Sequence, residues 1–66
     1  MRVDRIYLIA KMAEKDMTLK RLCSITGVSR ATLSAVRNGK KCSEDTGRKI
    51  AAALGVDVSE IVEMGD

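Results

Sequence analysis

The feature that most restricts this fold is one glycine, Gly27, set between two short apolar patterns in LKRLCSITGVSRATLSAVRN, residues 19–38. Before it, Leu22 and Ile25 fall on one side of a helical period, with the small Cys23 beside them. After it, Val28, Leu33 and Val36 recur at helical spacing. Ser29 stands where a hydroxyl accepts a hydrogen bond from a free N–H of a new first turn. So short a connection needs one residue at positive φ, which glycine adopts without steric cost. A small residue at Cys23 lets the second helix cross close to the first. The spacing therefore predicts two helices joined by a tight turn, the second presenting Arg30, Ala31, Ser34, Ala35 and Arg37 outward.

Helix, glycine, helix alone describes any helical hairpin. The joint placement of Leu22, Cys23, Gly27, Val28, Leu33 and Val36 is more specific and reads as a helix-turn-helix. The chain around it has 66 residues, enough for one domain, 1–66, with a small core and no space for a separate ligand-sensing domain. Tyr7 is the only aromatic residue, so the core must be aliphatic; proline is absent, alanine, lysine and glutamate are common and few β-branched residues fall in alternating runs, a composition that favours an all-α fold. Five short helices are expected. The first covers residues 3–15, with Val3, Ile6, Ile9 or Ala10, and Ala13 on one stripe, and Leu8 and Met12 on an adjoining one. Asp16 and Met17 connect it to the second, about residues 19–25, which Thr18 caps and Gly27 ends. The third runs from about Arg30 to Arg37, with Gly39 just beyond, where a terminating glycine belongs. Lys40, Lys41 and Cys42 form a loop. Ser43 caps the fourth helix, whose first turn holds Glu44 and Asp45, favourable to its dipole. Ile50, Ala51 and Leu54 supply its apolar face, and Gly55 stops it. Ser59 is expected to cap a last helix, about Glu60 to Glu63, with Val58, Ile61 and Val62 apolar.

Charge is unevenly placed. Residues 17–43 contain Lys20, Arg21, Arg30, Arg37, Lys40 and Lys41 and no acid, whereas residues 44–66 contain two basic and six acidic side chains. The basic block coincides with the helix-turn-helix and its exit loop, which suits a phosphate backbone. An ordinary solvated helix face mixes both signs, and a membrane-surface helix needs large apolar anchors that this block lacks. No apolar run is long enough to cross a bilayer, and charges break up the start of the chain, so no secretory signal is read there and a cytoplasmic protein is expected. Histidine is absent, and Cys23 and Cys42 lie 19 positions apart. These exclude the usual zinc ligand sets and favour two reduced thiols, Cys23 as a small hydrophobe and Cys42 in a loop. No cofactor, metal or catalytic residue is expected, and the chain does not read as an enzyme.

Thr18, Leu22, Cys23, Gly27-Val28-Ser29, Leu33, Val36, Asn38-Gly39-Lys40 and Ile50-Ala51 through Leu54-Gly55-Val56 make the chain similar to the Cro/repressor-type (Xre-like) helix-turn-helix family of bacterial and phage transcription regulators. The likeness runs from about Leu8 to Glu63. It implies a lambda repressor-like fold of five helices, the third entering the DNA major groove, in proteins that commonly act as dimers. Carried over by position, Ser29, Arg30, Ala31, Ser34 and Ala35 would face base edges or nearby phosphates, and Thr18, Lys20, Asn38, Lys40 and Lys41 the backbone. The residue chemistry agrees for Arg30, whose guanidinium can fork to a guanine edge, while Ala31 and Ala35 offer methyl contacts. Four positions depart from the family. Leu19 stands where glutamine often touches DNA, and Cys42 where proline is usual. Met12 and Arg37 stand where the family often pairs arginine with glutamate. An apolar contact is expected to replace that pair, leaving Arg37 to reach a phosphate.

The leading expectation is a sequence-specific regulator of transcription, a small phage-type or mobile-element repressor, binding double-stranded DNA. A homodimer on a near-palindromic operator is expected, with Val58, Ile61 and Val62 as its contact within the apolar set that also includes Val56 and Met64. No membrane partner and no small-molecule effector is evident. The competing expectation, from a different class, is an antitoxin-like or partner-binding helical protein-interaction module.

Overall fold

Helix boundaries follow the caps. The computed structural model describes residues 1–63 and contains α1 (Arg5–Glu14), α2 (Leu19–Thr26), α3 (Arg30–Arg37), α4 (Glu44–Leu54) and α5 (Val58–Ile61), with no β-strand among the described residues. Three caps fall where the sequence puts them. The hydroxyl of Thr18 accepts from the N–H of Arg21 at 3.1 Å, Ser29 from Thr32 at 3.2 Å and Ser43 from Thr46 at 3.2 Å. Each satisfies a donor that a helix start otherwise leaves free. Gly27 and Gly55 close α2 and α4 in the left-handed region, with φ of 74° and 71°.

The core consists of Val3, Leu8, Met12, Leu22, Leu33, Val36, Ile50, Ala51, Leu54 and Ile61, and no polar residue is buried among the described residues. Removal of this aliphatic surface from water is the main stabilising term, as a fold with one aromatic residue, Tyr7, at the edge of its core requires.

Several expectations are corrected. Val3 does not belong to the first helix. The carboxylate of Asp4 accepts from the N–H groups of Ile6 (3.0 Å) and Tyr7 (3.2 Å), so α1 starts at Arg5. Val3 is extended, fully buried and bridged antiparallel to Val62. The N–H of Asp4 donates to the Ile61 carbonyl at 2.7 Å, and that of Glu63 to the Arg2 carbonyl at 2.8 Å. With Val3 outside the helix, the inward face of α1 is Leu8 and Met12, and Ile6 (65% exposed), Ile9, Ala10 and Ala13 face outward.

Ile25 is likewise 47% exposed, because the inward seam of α2 is Leu19, Leu22, Cys23 and Thr26. The last helix is capped two residues earlier than Ser59. The Asp57 carboxylate accepts from the N–H of Ser59 at 3.0 Å, and the Glu60 carboxylate accepts from the N–H of Asp57 at 3.1 Å. This reciprocal box fixes α5 at Val58–Ile61. Ile61 is fully buried and offers no surface to a partner, contrary to its place in the expected dimer contact. Val58 and Val56 are half-buried against the core, Val62 is half-buried beside Val3, and Met64 lies outside the described residues.

Candidate nucleic-acid interface

The turn between α2 and α3 is held by more than its glycine. Gly27 donates its N–H to the Cys23 carbonyl at 2.8 Å. The Thr26 hydroxyl donates to the Leu22 carbonyl at 2.7 Å and accepts from the N–H of Val28 at 3.1 Å. This side chain clips both sides of the turn, and it was missed in the sequence because a threonine at a helix end has many uses. The clip and the Ser29 cap aim α3 so that Leu33 and Val36 enter the core while Arg30, Ala31, Thr32 and Arg37 are exposed.

Of the base-facing candidates, Ser29, Arg30 and Ala31 stand open at the start of α3, and Ser34 and Ala35 are half-buried one turn further on. The Ser29 hydroxyl already accepts from the Thr32 N–H and donates to the Thr32 hydroxyl at 2.8 Å, so its free capacity is a remaining lone pair. Of the backbone-facing candidates, Thr18, Lys20, Arg37, Asn38, Lys40 and Lys41 are all exposed. Gly39, at φ 92°, and a hydrogen bond of 3.0 Å from the Lys40 N–H to the Ala35 carbonyl turn the chain out of α3. Cys42 follows, and burial pushes its thiol up from the ordinary value of 9.0, against the weaker opposite pull of the nearby α-amine. Both cysteines are free thiols.

The electrostatics divide the molecule. Ion pairs join Arg2 to Glu63, Lys11 to Glu14, Arg48 to Glu44 and Lys49 to Asp45, at 3.1–3.6 Å. None involves Lys20, Arg21, Arg30, Arg37, Lys40 or Lys41, which are exposed and have no carboxylate partner among the described residues. Among the described residues nothing neutralises their charge, which suits them to an external anion. Thr18, Arg30 and Arg37 also border a concavity of about 470 Å³, together with Ile9, Met12, Ala13, Met17 and Leu19. Met12 and Arg37 thus share one cleft.

The comparison with protein families decides the class: a model of the Cro/C1-type HTH DNA-binding domain matches residues 8–66. The chain belongs to this family. No curated protein and no solved structure matches it. As a Cro/C1-type domain it is a DNA-binding regulator, in agreement with the exposed basic side chains around α3. The matched span starts at Leu8, so the extended segment that carries Val3 and the Asp4 cap lies outside it. Among the described residues, no helix is long and apolar enough to cross a membrane.

Proposed function

We propose that this Cro/C1-type domain, taken as residues 1–66, is a sequence-specific regulator of the small phage or mobile-element repressor kind. It reads the major groove with α3 and works as a homodimer on a near-palindromic operator. The observation that carries the reading is the arrangement of α3 and its exit loop: Arg30 and Ala31 stand open at the helix start, flanked by basic side chains that have no carboxylate partner among the described residues. Arg30 is assigned a forked contact to a guanine edge. Lys40 and Lys41, beyond Gly39, are assigned to the sugar–phosphate strand, with Lys20 and Arg37 at its neighbouring phosphates. An antitoxin-like or partner-binding module is the second reading, favoured by the outward Ile6, Ile9 and Ile25.

The two roles assigned to Arg30 and Lys40 separate in one experiment. Arg30→Ala should lose about 1–3 kcal/mol of discrimination between the preferred site and a scrambled duplex. Lys40→Ala should weaken both duplexes alike and lower the salt slope by about one. Binding of both variants to both duplexes across a salt series checks this. Full retention of site preference by Arg30→Ala would remove α3 as the base-reading element.

A further inference from the structure

The cleft between α1, the start of α2 and α3 has two unlike sides. The side from α1 and the start of α2 is mostly apolar, with Ile9, Met12, Ala13, Met17 and Leu19 and the one polar side chain of Thr18, and the side from α3 carries Arg30 and Arg37. The apolar side continues onto the outer face of α1, where Ile6 is 65% and Ile9 43% exposed, with Ala10 and Ala13 beside them. Among the described residues neither arginine has an ion-pair partner. A sugar–phosphate strand matches the guanidinium side but has nothing to lay on the aliphatic one. A polypeptide carrying apolar and acidic side chains on adjoining faces matches both, and charge complementarity selects the acidic kind.

We propose that this cleft docks an acidic amphipathic segment of a partner protein, with its apolar side chains on the α1 wall and its carboxylates on Arg30 and Arg37. Occupancy by that segment and by DNA is mutually exclusive, because both use the same two guanidinium groups. The exclusion rests on the DNA reading given above, and the docking does not. Arg30 and Arg37 are seven residues apart on one side of α3, about 10.5 Å along its axis. A partner helix lying along the cleft therefore presents carboxylates about two turns apart, and apolar residues on the flank toward Ile9.

The test is selection of a phage-displayed library of random peptides, roughly three to four helical turns long, on the purified protein. Enriched peptides are then titrated by fluorescence anisotropy. They are expected to combine Leu, Ile or Met at helical spacing with Asp or Glu. Ile9→Ser and Arg37→Ala should each weaken them about tenfold, as loss of a central contact does. Ile9→Ser should leave DNA affinity unchanged, and the preferred duplex should displace the peptide. Enrichment no better than on an unrelated helical protein overturns the proposal, as do peptides without acidic residues or affinities insensitive to both substitutions. A ternary complex of protein, peptide and duplex overturns the exclusion. Peptide binding of the expected pattern in a protein that binds no DNA supports the docking and removes the DNA reading. DNA binding without such peptides removes the docking alone.

Discussion

At Gly27 the backbone and the surroundings make separable demands. Its φ is 74°, yet a Cβ built there would meet nothing within 4 Å. The site excludes a branched side chain through backbone strain and not through crowding. Gly27→Val should therefore cost at least roughly 1–2 kcal/mol, whereas Gly27→Asn, a residue that visits the left-handed region, should cost clearly less. Urea midpoints at unchanged slope would measure the difference. A Gly27→Val protein with unaltered melting would show that the turn tolerates another conformation. Asp57 supplies a pH signature. Hydrogen bonds from the Ser59 N–H and then its hydroxyl hold the Asp57 carboxyl below the ordinary aspartate value of 3.8. The folded value lies below the unfolded one, so its contribution is complete above the unfolded value and is lost as pH falls through the folded value. Asp57→Asn keeps a capping oxygen without the charge. The wild type should thus lose stability relative to this variant as pH falls below about 4, read from paired thermal melts. Parallel pH profiles would remove the carboxylate as the cause.

At the scale of elements, α1 provides the sharpest comparison between adjoining apolar stripes. Leu8 is 1% exposed and Ile6 65%. Leu8→Ala should cost about 2–5 kcal/mol, by lost transfer energy and a cavity. Ile6→Ala should stay within about 0.5 kcal/mol. Comparable losses at both sites, by calorimetry, would mean that α1 is rotated from its described position. The same comparison indicates what a linear chain discloses. The starts of α2, α3 and α4 were legible because Thr18, Ser29 and Ser43 act on N–H groups a few residues away, and α3's inward face because Leu33 and Val36 keep one period. Val3 was not legible as extended, since what holds it is Val62, near the other end of the described chain. The Asp57 cap was legible in principle: Glu60 follows it by three residues, the signature of a reciprocal box, and the hydroxyl of Ser59 was a nearer distraction. In the interface, Arg30, Ala31 and Arg37 could be read as outward from the period of α3, whereas Ser34 and Ala35, read as outward with them, are half-buried. The cleft beside it could not, because Ile9, Leu19 and Arg37 meet only through the crossing of three helices.

For the whole molecule the open question is how two copies would present two copies of α3. Ile61 is inward, which leaves Val58 and Val62, of the three residues expected at the contact, with surface to offer. They border a second concavity, of about 210 Å³, with Met1, Glu44 and Arg48. Val62 is the better probe, because Val58 packs on the core while the bridge of Val62 to Val3 is a backbone feature. Val62→Lys should retain the fold but place a charge at the proposed contact; the wild type is then expected to sediment as a dimer at micromolar concentration and the variant as a monomer. A two-fold dimer reads half-sites about one helical turn apart, roughly 34 Å. The variant should accordingly bind one isolated half-site as well as the wild type does, and lose the advantage that two correctly spaced half-sites confer. Ile61→Ala is the contrasting substitution: it should lower the melting temperature by emptying the core, whatever the oligomeric state. Wild-type protein that sediments only as monomer, both alone and on a paired site, would remove the α5 contact and leave each copy to bind its half-site independently.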